Sequence, residues 1–459
     1  MNVVLISTYD LGRQPFGLAS PSAWLKPLGV SVATVDLAVQ DLPHDTLAAA
    51  DLIAFHVPMH TATRIAVHLM PRVKEINPTA HVCFYGLYAP ANGDFLRKLG
   101  ALTILGGEFE AGLAALVERL AADGERRPPA PQAEPEVSLA RQTFQVPDRS
   151  GLPGLSSYAY LTFGDGERRT VGYTEASRGC KHLCRHCPIV PVYEGRFRIV
   201  QEEVVLEDVR RQVASGARHI TFGDPDFLNG PRHALALVRG LHREFPEITY
   251  DATIKVEHLL KHAHLLPVLR DTGCLFVTTA AETFDNRVLE IFDKRHTRED
   301  FRHVVALFRE ADLALNPTFV SFTPWTSLAG YRDFLTEIVD LDLVENIAPV
   351  QYAIRLLVPA GSKLLERPEV LRWVEVFSQT ALCYPWKHQD PRVDRLYEDV
   401  LAIVKRGQCK HETRGETFLK VWERANWANS AGAVALRALR LDEPPARATI
   451  PYLSESWFC

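Results

Sequence analysis

The sequence lacks the features that would place the protein in a membrane or on nucleic acid. No apolar run approaches the roughly 18 residues that a membrane-spanning helix requires. The formal net charge of −5 gives no general attraction for nucleic acid. Residues 1–7 contain no basic stretch ahead of an apolar one, so no signal peptide is indicated. We therefore expect a cytoplasmic protein without membrane or nucleic-acid partners.

Cysteine is also scarce, with eight in 459 residues, and its spacing does not suggest a disulfide framework. Cys83 and Cys274 fall in apolar, strand-like runs that predict core positions. Three others, Cys180, Cys184 and Cys187, are grouped at the spacing C-x3-C-x2-C. The length suffices for two or three domains, and the grouped cysteines are the most specific feature in any of them.

The grouped cysteines follow a β-branched run over residues 170–176 that predicts a strand, and glycine and proline bracket them in a loop. Protein iron–sulfur clusters are normally held by four cysteines, so three thiolates on a cubane cluster leave one iron open to another ligand. The alternatives are a zinc site completed by His182 or His186, and buried thiols without a ligand. Zinc sites usually carry paired C-x2-C knuckles, and no second knuckle occurs here.

This spacing resembles the signature of the radical S-adenosylmethionine (SAM) enzymes. In that family the open iron chelates the amino and carboxylate groups of SAM, and one electron from the cluster breaks a carbon–sulfur bond. The resemblance implies a 4Fe–4S cluster on Cys180, Cys184 and Cys187, with SAM as the second cofactor. It also implies a small-molecule substrate and an electron donor such as flavodoxin or ferredoxin.

The first 120 residues alternate short apolar runs with helical patterns, which predicts a doubly wound, Rossmann-like parallel sheet. The runs cover residues 3–8, 32–36, 52–56, 82–86 and 102–105. The arrangement resembles the cobalamin-binding-type domain that precedes the barrel in one large branch of radical SAM enzymes. The histidine that ligates cobalt in that branch is absent from loop 8–20, which argues against bound cobalamin, although many relatives that use cobalamin also lack it. The alternative is a domain that docks substrate or a partner.

Two further stretches bear on the domain organisation. Gly106-Gly107 resembles the late glycine-rich turn of the same domain, and such a turn either approaches a ligand or is simply tight. A charged, proline-rich stretch begins near residue 122 and reads as a linker. We predict an N-terminal domain over 1–121, a linker over 122–149, a barrel over 150–365 and a helical C-terminal region over 366–459, with a helix over 370–382.

Strand-like runs recur at regular intervals after the cysteine loop and predict a partial (β/α)6 barrel, which with the N-terminal domain makes the chain an α/β protein. With 170–176, the predicted strands cover 219–222, 248–254, 275–281, 314–322 and 347–355. Parallel strands of a barrel direct their carboxyl ends at the active site. The candidate residues at these ends are Gly223, Asp224, Asp226, Lys255, Glu282 and Arg355.

The resemblance assigns roles to some of these residues. In the family the segment after the second strand binds the SAM amino group, which implies a cofactor-binding role for Gly223, Asp224 and Asp226. The alternative is an ordinary turn with an aspartate as helix cap. Lys255 and Glu282 are cofactor-binding candidates, and a glutamate at the latter position lies near the SAM ribose or amino acid moiety in relatives. Arg355 is a catalytic candidate that binds a carboxylate of SAM or substrate, or else pairs with Glu282.

The chain ends on Cys459, which directly follows the apolar pair Trp457-Phe458. With Leu5 to Tyr9 and Gln14 to Pro21, this ending resembles the radical SAM family named for its Cys-Sec-Ala-Glu-Pro or Cys-Cys-Ala-Glu-Pro tail. We expect that a selenocysteine codon was translated as a stop, the alternative being a true end with a surface thiol. A related branch makes arsinothricin by moving the 3-amino-3-carboxypropyl group of SAM to arsenic. By that analogy Cys459, with Glu282 and Arg355, is a catalytic candidate near a soft element.

Together these patterns predict an enzyme that cleaves SAM reductively and starts radical chemistry on an unidentified substrate. The radical is 5′-deoxyadenosyl or, by the arsenic analogy, 3-amino-3-carboxypropyl, and the acceptor includes a soft element such as arsenic or selenium. One alternative is a cobalamin-dependent radical SAM methyltransferase. The other is a non-catalytic zinc-binding module.

Overall fold

The protein is described here by a computed structural model that covers residues 1–123, 132–163, 166–427 and 452–453. Its N-terminal part is a parallel sheet with the strand order β2-β1-β3-β4-β5-β6. The strands are β1 (Asn2–Ser7), β2 (Ser31–Asp36), β3 (Leu52–His56), β4 (His81–Tyr85), β5 (Thr103–Gly107) and β6 (Val137–Ser138). The helices are α1 (Phe16–Leu25), α2 (His44–Ala48), α3 (His60–Ile76), α4 (Tyr88–Ala91), α5 (Gly93–Lys98) and α6 (Phe109–Asp123).

The central strands of this sheet are covered on both faces. Every residue of β3 and β4 is buried, which is the pattern of parallel strands that carry helices on either side. Two separate apolar clusters fill the two faces, one around Phe55 and Phe84 and the other around Leu5 and Leu113. The doubly wound architecture predicted from the sequence is confirmed.

The proline-rich segment contributes to this sheet, which its composition did not predict. Val137 and Ser138 pair in parallel with Gly106 and Gly107. The backbone N–H of Gly106 donates to the carbonyl of Glu136 at 2.7 Å, and that of Glu108 donates to Ser138 at 2.8 Å. These bonds satisfy an edge of β5 that would otherwise be open. The described part of the segment therefore forms a sixth strand.

The second part of the chain is a curled sheet with the order β14-β13-β12-β11-β8-β7-β15, beside a small β9–β10 hairpin. Its strands are β7 (Tyr160–Thr162), β8 (Arg168–Thr174), β9 (Ser177–Gly179), β10 (Phe197–Ile199), β11 (His219–Phe222), β12 (Thr249–Thr253), β13 (Cys274–Glu282), β14 (Ala314–Phe319) and β15 (Tyr452–Leu453). Its helices are α7 (Val190–Tyr193), α8 (Glu202–Ala214), α9 (Pro231–Glu244), α10 (Val256–Lys261), α11 (Leu266–Asp271), α12 (Asn286–Phe292), α13 (Arg298–Glu310) and α14 (Leu328–Asp340). The strands β8, β11, β12, β13 and β14 are parallel to one another. They form the predicted partial barrel and bring their carboxyl ends to one edge.

The sixth barrel strand, predicted over 347–355, is not formed. Residues Pro349–Ala353 are a 3₁₀ helix, and Arg355 keeps only an isolated parallel bridge to Phe322. Pro349 stands at the start of the 3₁₀ helix, where its missing N–H costs nothing, whereas in a strand it would interrupt the ladder. The curled sheet therefore has five parallel strands within the described residues.

Within its described residues the C-terminal region is helical as predicted, except over 370–382. Its helices are α15 (Pro368–Leu371), α16 (Pro391–Cys409) and α17 (Arg414–Trp427). After α15 the chain forms a hairpin, with bridges between Val374 and Trp386 and between Ser378 and Cys383. In the described ranges, no helix is long and apolar enough to span a bilayer. The predicted catalytic Cys459 lies outside the described residues.

Candidate functional site

The three grouped cysteines lie on one loop at the carboxyl edge of the curled sheet. The loop begins at the end of β9, where Gly179 has a φ of +73°. A Cβ atom there would lie 2.3 Å from the Tyr193 ring and 2.5 Å from the Arg196 carbonyl oxygen. Only glycine fits a left-handed position in such close contact. The turn therefore directs the chain from β9 into the cysteine loop.

Neighbouring strand ends hold the cysteine loop in place. Asn229, which follows β11, accepts from the backbone N–H of Lys181 at 3.4 Å and lies 3.9 Å from the Cys180 sulfur. Lys181 Nζ donates to the Asn229 carbonyl at 3.2 Å. On the other side, the N–H of Arg185 donates to the carbonyl of Phe292, at the end of α12, at 2.9 Å. The loop is thus fixed at both of its ends.

Cys180 and Cys187 are in surroundings that disfavour their thiolates when no metal is bound. Burial raises the pKa of Cys180 to about 11 and that of Cys187 to about 12. For Cys187 the neighbouring Cys184 and Cys180 add to the effect. A metal centre removes this cost, because its own positive charge deprotonates a coordinating thiol. The donor set therefore fits a thiolate-bound metal centre.

The spacing of the sulfur atoms distinguishes between kinds of centre. A zinc ion with Zn–S bonds of about 2.3 Å holds its sulfur ligands about 3.8 Å apart. In the part of the chain that the structure covers, the one group of three ligand atoms within 4.8 Å of one another is Cys180, His182 and Asp226. The three cysteine sulfurs do not form such a group. One ion bound by all three would require at least one thiol to move, whereas a 4Fe–4S cluster binds its cysteines on separate irons.

Asp224 and Asp226 follow β11 and face different partners. Asp224 is 2% exposed, and its carboxylate accepts from the N–H of Ala176 at 2.9 Å and from the Ser177 hydroxyl at 2.5 Å. Burial raises the pKa of Asp224 to about 7, although those two donors oppose the rise. Asp224 therefore braces the turn ahead of the cysteine loop, and this contact leaves its predicted role in SAM binding without support.

Asp226 combines the predicted cap with contacts to the cysteine loop. Its side chain accepts from the backbone N–H of Leu228 and so caps a 3₁₀ turn. It also lies 2.7 Å from His258 Nδ1 and 3.4 Å from His182 Nε2. Burial raises the pKa of Asp226, but the two histidines lower it by more than burial raises it, and the net shift is downward. Asp226 is thus an anion next to Cys180.

Gly223 and Lys255 complete this side of the edge. A Cβ atom on Gly223 would lie 1.8 Å from the Tyr173 hydroxyl, so the position serves close packing. Lys255 Nζ lies 3.2 Å from His182 Nδ1 and 2.8 Å from Glu257 Oε2. Lys255 therefore lies beside the cysteine loop, as the sequence predicted.

Glu282 ends β13 in a strained conformation. Its φ is +65°, and a left-handed non-glycine residue costs energy that the surrounding structure must offset. Its carboxylate accepts from Lys294 Nζ and His186 Nε2, each at 3.0 Å. Burial raises the pKa of Glu282, but Lys294 and His186 lower it more, and the net shift is strongly downward. Glu282 is therefore a fixed anion that touches the cysteine loop through His186.

Arg355 is not brought to this group. Its guanidinium donates to Asp394 at 2.9 Å and to the carbonyl of Trp386 at 2.9 Å. It also lies 3.7 Å from the centroid of the Trp386 ring. The alternative pairing of Arg355 with Glu282 is wrong, because Glu282 is paired with Lys294 and His186. A catalytic role for Arg355 stays a prediction, and its contacts are those of a packing residue.

Several residues of this site carried little signal in the sequence. The sequence indicates His182 and His186 only as alternative zinc ligands, and it assigns no role to Asn229, His258 or Lys294. Polar residues that follow strands are common, and pairing across strands separated by up to 100 residues is not visible in one sequence.

The glycine-rich turn of the N-terminal domain is packed against protein. Cβ atoms on Gly106 and Gly107 would lie 2.3 Å from Pro90 and 2.2 Å from the Ser138 carbonyl oxygen. The tight turn considered from the sequence therefore explains this pair.

Comparison with known proteins identifies the kind of domain. Residues 174–322 match the family model described as "Radical SAM superfamily". The match contains the cysteine loop and the strands β11 to β14. The chain therefore carries a radical SAM domain.

Curated relatives match over part of the chain. One is a tRNA-2-methylthio-N(6)-dimethylallyladenosine synthase from Desulfosudis oleivorans, 26% identical over 241 residues that cover 49% of each protein. Another is the ribosomal protein uS12 methylthiotransferase RimO from Geobacter sulfurreducens, 25% identical over 36% of this chain and 39% of the relative. The chain spans about half or less of the length of these relatives.

Solved structures match over both parts of the chain. The cobalamin-dependent SAM radical enzyme OxsB, in its apo form, aligns with a TM-score of 0.68 and 14% identity over 88% of this chain and 66% of that one. The radical SAM methyltransferase TsrM from Kitasatospora setae aligns with a TM-score of 0.60 and 16% identity over 74% and 72%. At these identities the likeness shows the fold, which is a parallel N-terminal sheet followed by a curled half-barrel.

Proposed function

We propose that this protein is a radical SAM enzyme that holds a 4Fe–4S cluster on Cys180, Cys184 and Cys187 and cleaves SAM reductively. The observation that carries the proposal is the loop of three cysteines at the carboxyl edge of the barrel, one of them buried and two partly buried, which the radical SAM match contains. Such a cluster supplies one electron to the SAM sulfonium, and the protein orients the reactants and excludes water.

The chain's own residues provide charge of both signs around the proposed cofactors. Glu282 and Asp226 are anions held by neighbouring cations and histidines. Their carboxylate oxygens suit the SAM amino and ribose hydroxyl groups, which would donate hydrogen bonds to them. Lys255 offers a cation at the same edge and suits a carboxylate. We therefore propose that the Lys255 and Glu282 ends of β12 and β13 contact SAM. An acidic electron donor such as flavodoxin or ferredoxin, and a small-molecule substrate, complete the scheme.

The test is anaerobic reconstitution followed by spectroscopy with a matched pair of cysteine variants. The wild type is expected to be brown, to contain iron and sulfide, and to give an electron paramagnetic resonance (EPR) signal on reduction that changes when SAM is added. Cys184→Ala removes a proposed ligand and is expected to lose both the cluster and SAM cleavage. Cys409→Ala removes an exposed cysteine of α16 and is expected to behave as the wild type. A colourless wild type, or a Cys184→Ala variant that still cleaves SAM, contradicts the proposal.

The product of SAM cleavage decides between two radical chemistries. 5′-Deoxyadenosine indicates a 5′-deoxyadenosyl radical and a substrate that donates hydrogen. 5′-Methylthioadenosine indicates transfer of the 3-amino-3-carboxypropyl group, and arsenite or selenite is then the acceptor to test. We retain the soft-element acceptor as a proposal that rests on the resemblance of the chain's ends.

A cobalamin-dependent methyltransferase is a second candidate, and the sequence-based argument against cobalamin is weakened by the comparisons. The N-terminal sheet aligns together with the barrel in structures of the cobalamin-dependent SAM radical enzyme OxsB. The test is to mix the purified protein with hydroxocobalamin and remove free ligand. Retention of about one corrin per chain with an altered visible spectrum supports this candidate, and complete loss of the corrin rejects it.

A zinc module is the third candidate, and one observation favours it. Cys180, His182 and Asp226 come within 4.8 Å of one another, and thiolate, imidazole and carboxylate are all zinc ligands. Metal analysis of the protein purified without oxygen separates the two cases. One zinc and no iron supports the module, whereas about four irons per chain support the cluster.

A further inference from the structure

Arg178 joins the two parts of the molecule two residues ahead of the first cluster cysteine. It belongs to β9 of the curled sheet, yet its guanidinium lies against the N-terminal domain and is 7% exposed. Nη1 and Nη2 donate to the two oxygens of Glu110 at 2.8 and 2.6 Å. A bidentate contact of this kind fixes both position and orientation. Arg178 thus connects α6 directly to the strand that leads into the cysteine loop.

Two more carboxylates contact the Arg178 guanidinium. Nε donates to Glu175 at 2.7 Å, and Nη1 lies 3.5 Å from Glu108. Glu108 and Glu110 are 1% and 0% exposed. Ser20 of α1 donates to Glu110 at 2.7 Å and so orients the carboxylate that Arg178 binds.

Three aromatic rings enclose the guanidinium. The centroids of Phe16, Phe109 and Phe144 lie 5.5, 5.3 and 5.1 Å from its central carbon. Ring faces at this distance attract a cation and keep out water. A buried charge that loses one of its partners is strongly destabilised. Because any displacement would break these contacts, the guanidinium has one well-defined position.

That position is passed on to Cys180 through a short and stiff connection. Arg178 pairs with Arg198 of β10 across the hairpin, and Asp224 holds the preceding turn through Ala176 and Ser177. Only Gly179 separates Arg178 from Cys180, in a left-handed conformation with close contacts on Tyr193. A shift of Arg178 therefore moves the first cysteine with it.

We propose that Arg178 is a positioning residue through which Glu110 and Glu108 of the N-terminal domain set the position of the cysteine loop. The N-terminal domain is then a working part of the radical SAM site. Small displacements matter in such a site, because a misplacement of reacting groups by about 1 Å can cost about 100-fold in rate. This inference rests on the proposed cluster at Cys180, Cys184 and Cys187.

The test compares Arg178→Lys and Glu110→Gln with a control at the same interface. Arg149 is 11% exposed, binds Asp208 through two hydrogen bonds and also donates to Gln14. Arg149→Lys therefore perturbs a similar buried pair, which reaches α8 and the carbonyl of Tyr173 in β8 instead of the cysteine loop. Each reconstituted protein is measured for iron content, for the EPR spectrum of the reduced cluster, and for kcat and KM in SAM cleavage.

We expect Arg178→Lys and Glu110→Gln to retain iron but to show a shifted or broadened EPR spectrum and a kcat reduced by about tenfold or more. Arg149→Lys is expected to keep the wild-type spectrum even where its thermal stability falls. A wild-type spectrum and kcat in Glu110→Gln would overturn the inference, and so would the same spectral change in Arg149→Lys. If Arg178→Lys does not fold, Glu110→Gln, which keeps the contact to Glu175, decides alone. A wild type without iron refutes the proposed function and is recognised before any variant is compared.

Discussion

Replacing Asp224 tests whether this residue braces the cysteine loop or binds SAM. Its carboxylate is 2% exposed and accepts from Ala176 and Ser177. In Asp224→Asn the side-chain amide oxygen still accepts from the Ala176 N–H, and the Ser177 hydroxyl can rotate to accept from the side-chain amide nitrogen. Asp224→Ala leaves both donors buried without a partner, at about 1–3 kcal/mol each. We expect the alanine variant to be less stable than the asparagine variant by roughly 2–6 kcal/mol.

The same residue predicts a dependence of stability on pH. Burial raises the pKa of Asp224 from 3.8 to about 7. Between these values the folded protein keeps a proton that the unfolded chain has lost, so the free energy of unfolding falls as the pH rises. A shift of about 3 pKa units corresponds to roughly 4 kcal/mol. Asp224→Asn carries no such proton and is expected to lose this part of the fall.

Urea unfolding of the wild type and both variants, at equal cluster content and between about pH 5 and pH 8, measures both effects. SAM affinity is measured on the same samples. A wild type whose stability falls no more steeply than that of Asp224→Asn would refute the assignment of the raised pKa. An Asp224→Ala variant with wild-type stability but weaker SAM binding would refute the bracing role and restore the contact with SAM.

Three further substitutions test packing around the site. Gly223→Ala places a methyl group against the Tyr173 hydroxyl and is expected to lower the free energy of unfolding by about 1–3 kcal/mol, with partial recovery in the double variant with Tyr173→Phe. Arg355→Lys loses a guanidinium that stacks on Trp386 and bonds to Asp394 and to the Trp386 carbonyl, and it is expected to lose about 1–2 kcal/mol in thermal or urea unfolding while KM for SAM stays unchanged. Lys294→Met removes the main cation beside buried Glu282 and is expected to cost about 3–5 kcal/mol.

Each of these expectations has an outcome that contradicts it. Full stability of Gly223→Ala would mean that Tyr173 moves away freely. A raised KM for SAM in Arg355→Lys, without loss of stability, would return Arg355 to the catalytic candidates. A Lys294→Met variant as stable as the wild type would mean that His186 alone neutralises Glu282.

The N-terminal sheet was predictable because parallel strands buried on both faces are written in the sequence as short apolar runs. The run at 52–56 coincides with β3, and the runs at 219–222 and 275–281 fall on β11 and β13. The run at 347–355 is also largely apolar and contains Pro349, which starts a 3₁₀ helix, whereas the run at 314–322 contains Pro317 and forms the edge strand β14. Composition alone did not separate these cases.

The candidate site was predictable in position but less so in contacts. The rule that parallel strands end at one edge correctly placed Cys180, Asp226 and Lys255 beside one another. It could not foresee that Asp224 turns to the backbone of the preceding turn or that Arg355 stacks on Trp386. Such choices depend on side chains from distant parts of the chain, and a single sequence does not reveal which of them meet.

The strand β6 has a consequence for how this protein could be recombined with its relatives. A chain divided near residue 122 would take from the N-terminal sheet its edge strand, the Glu134 that binds Arg119 through two hydrogen bonds, and the amide of Gln132 that bonds to Ile104. An exchange of domains between relatives would therefore succeed only with a cut after residue 138. An N-terminal part taken from a relative would also have to supply carboxylates in the positions of Glu108 and Glu110, which accept from Arg178. We therefore expect the two parts to be exchangeable only where these residues match.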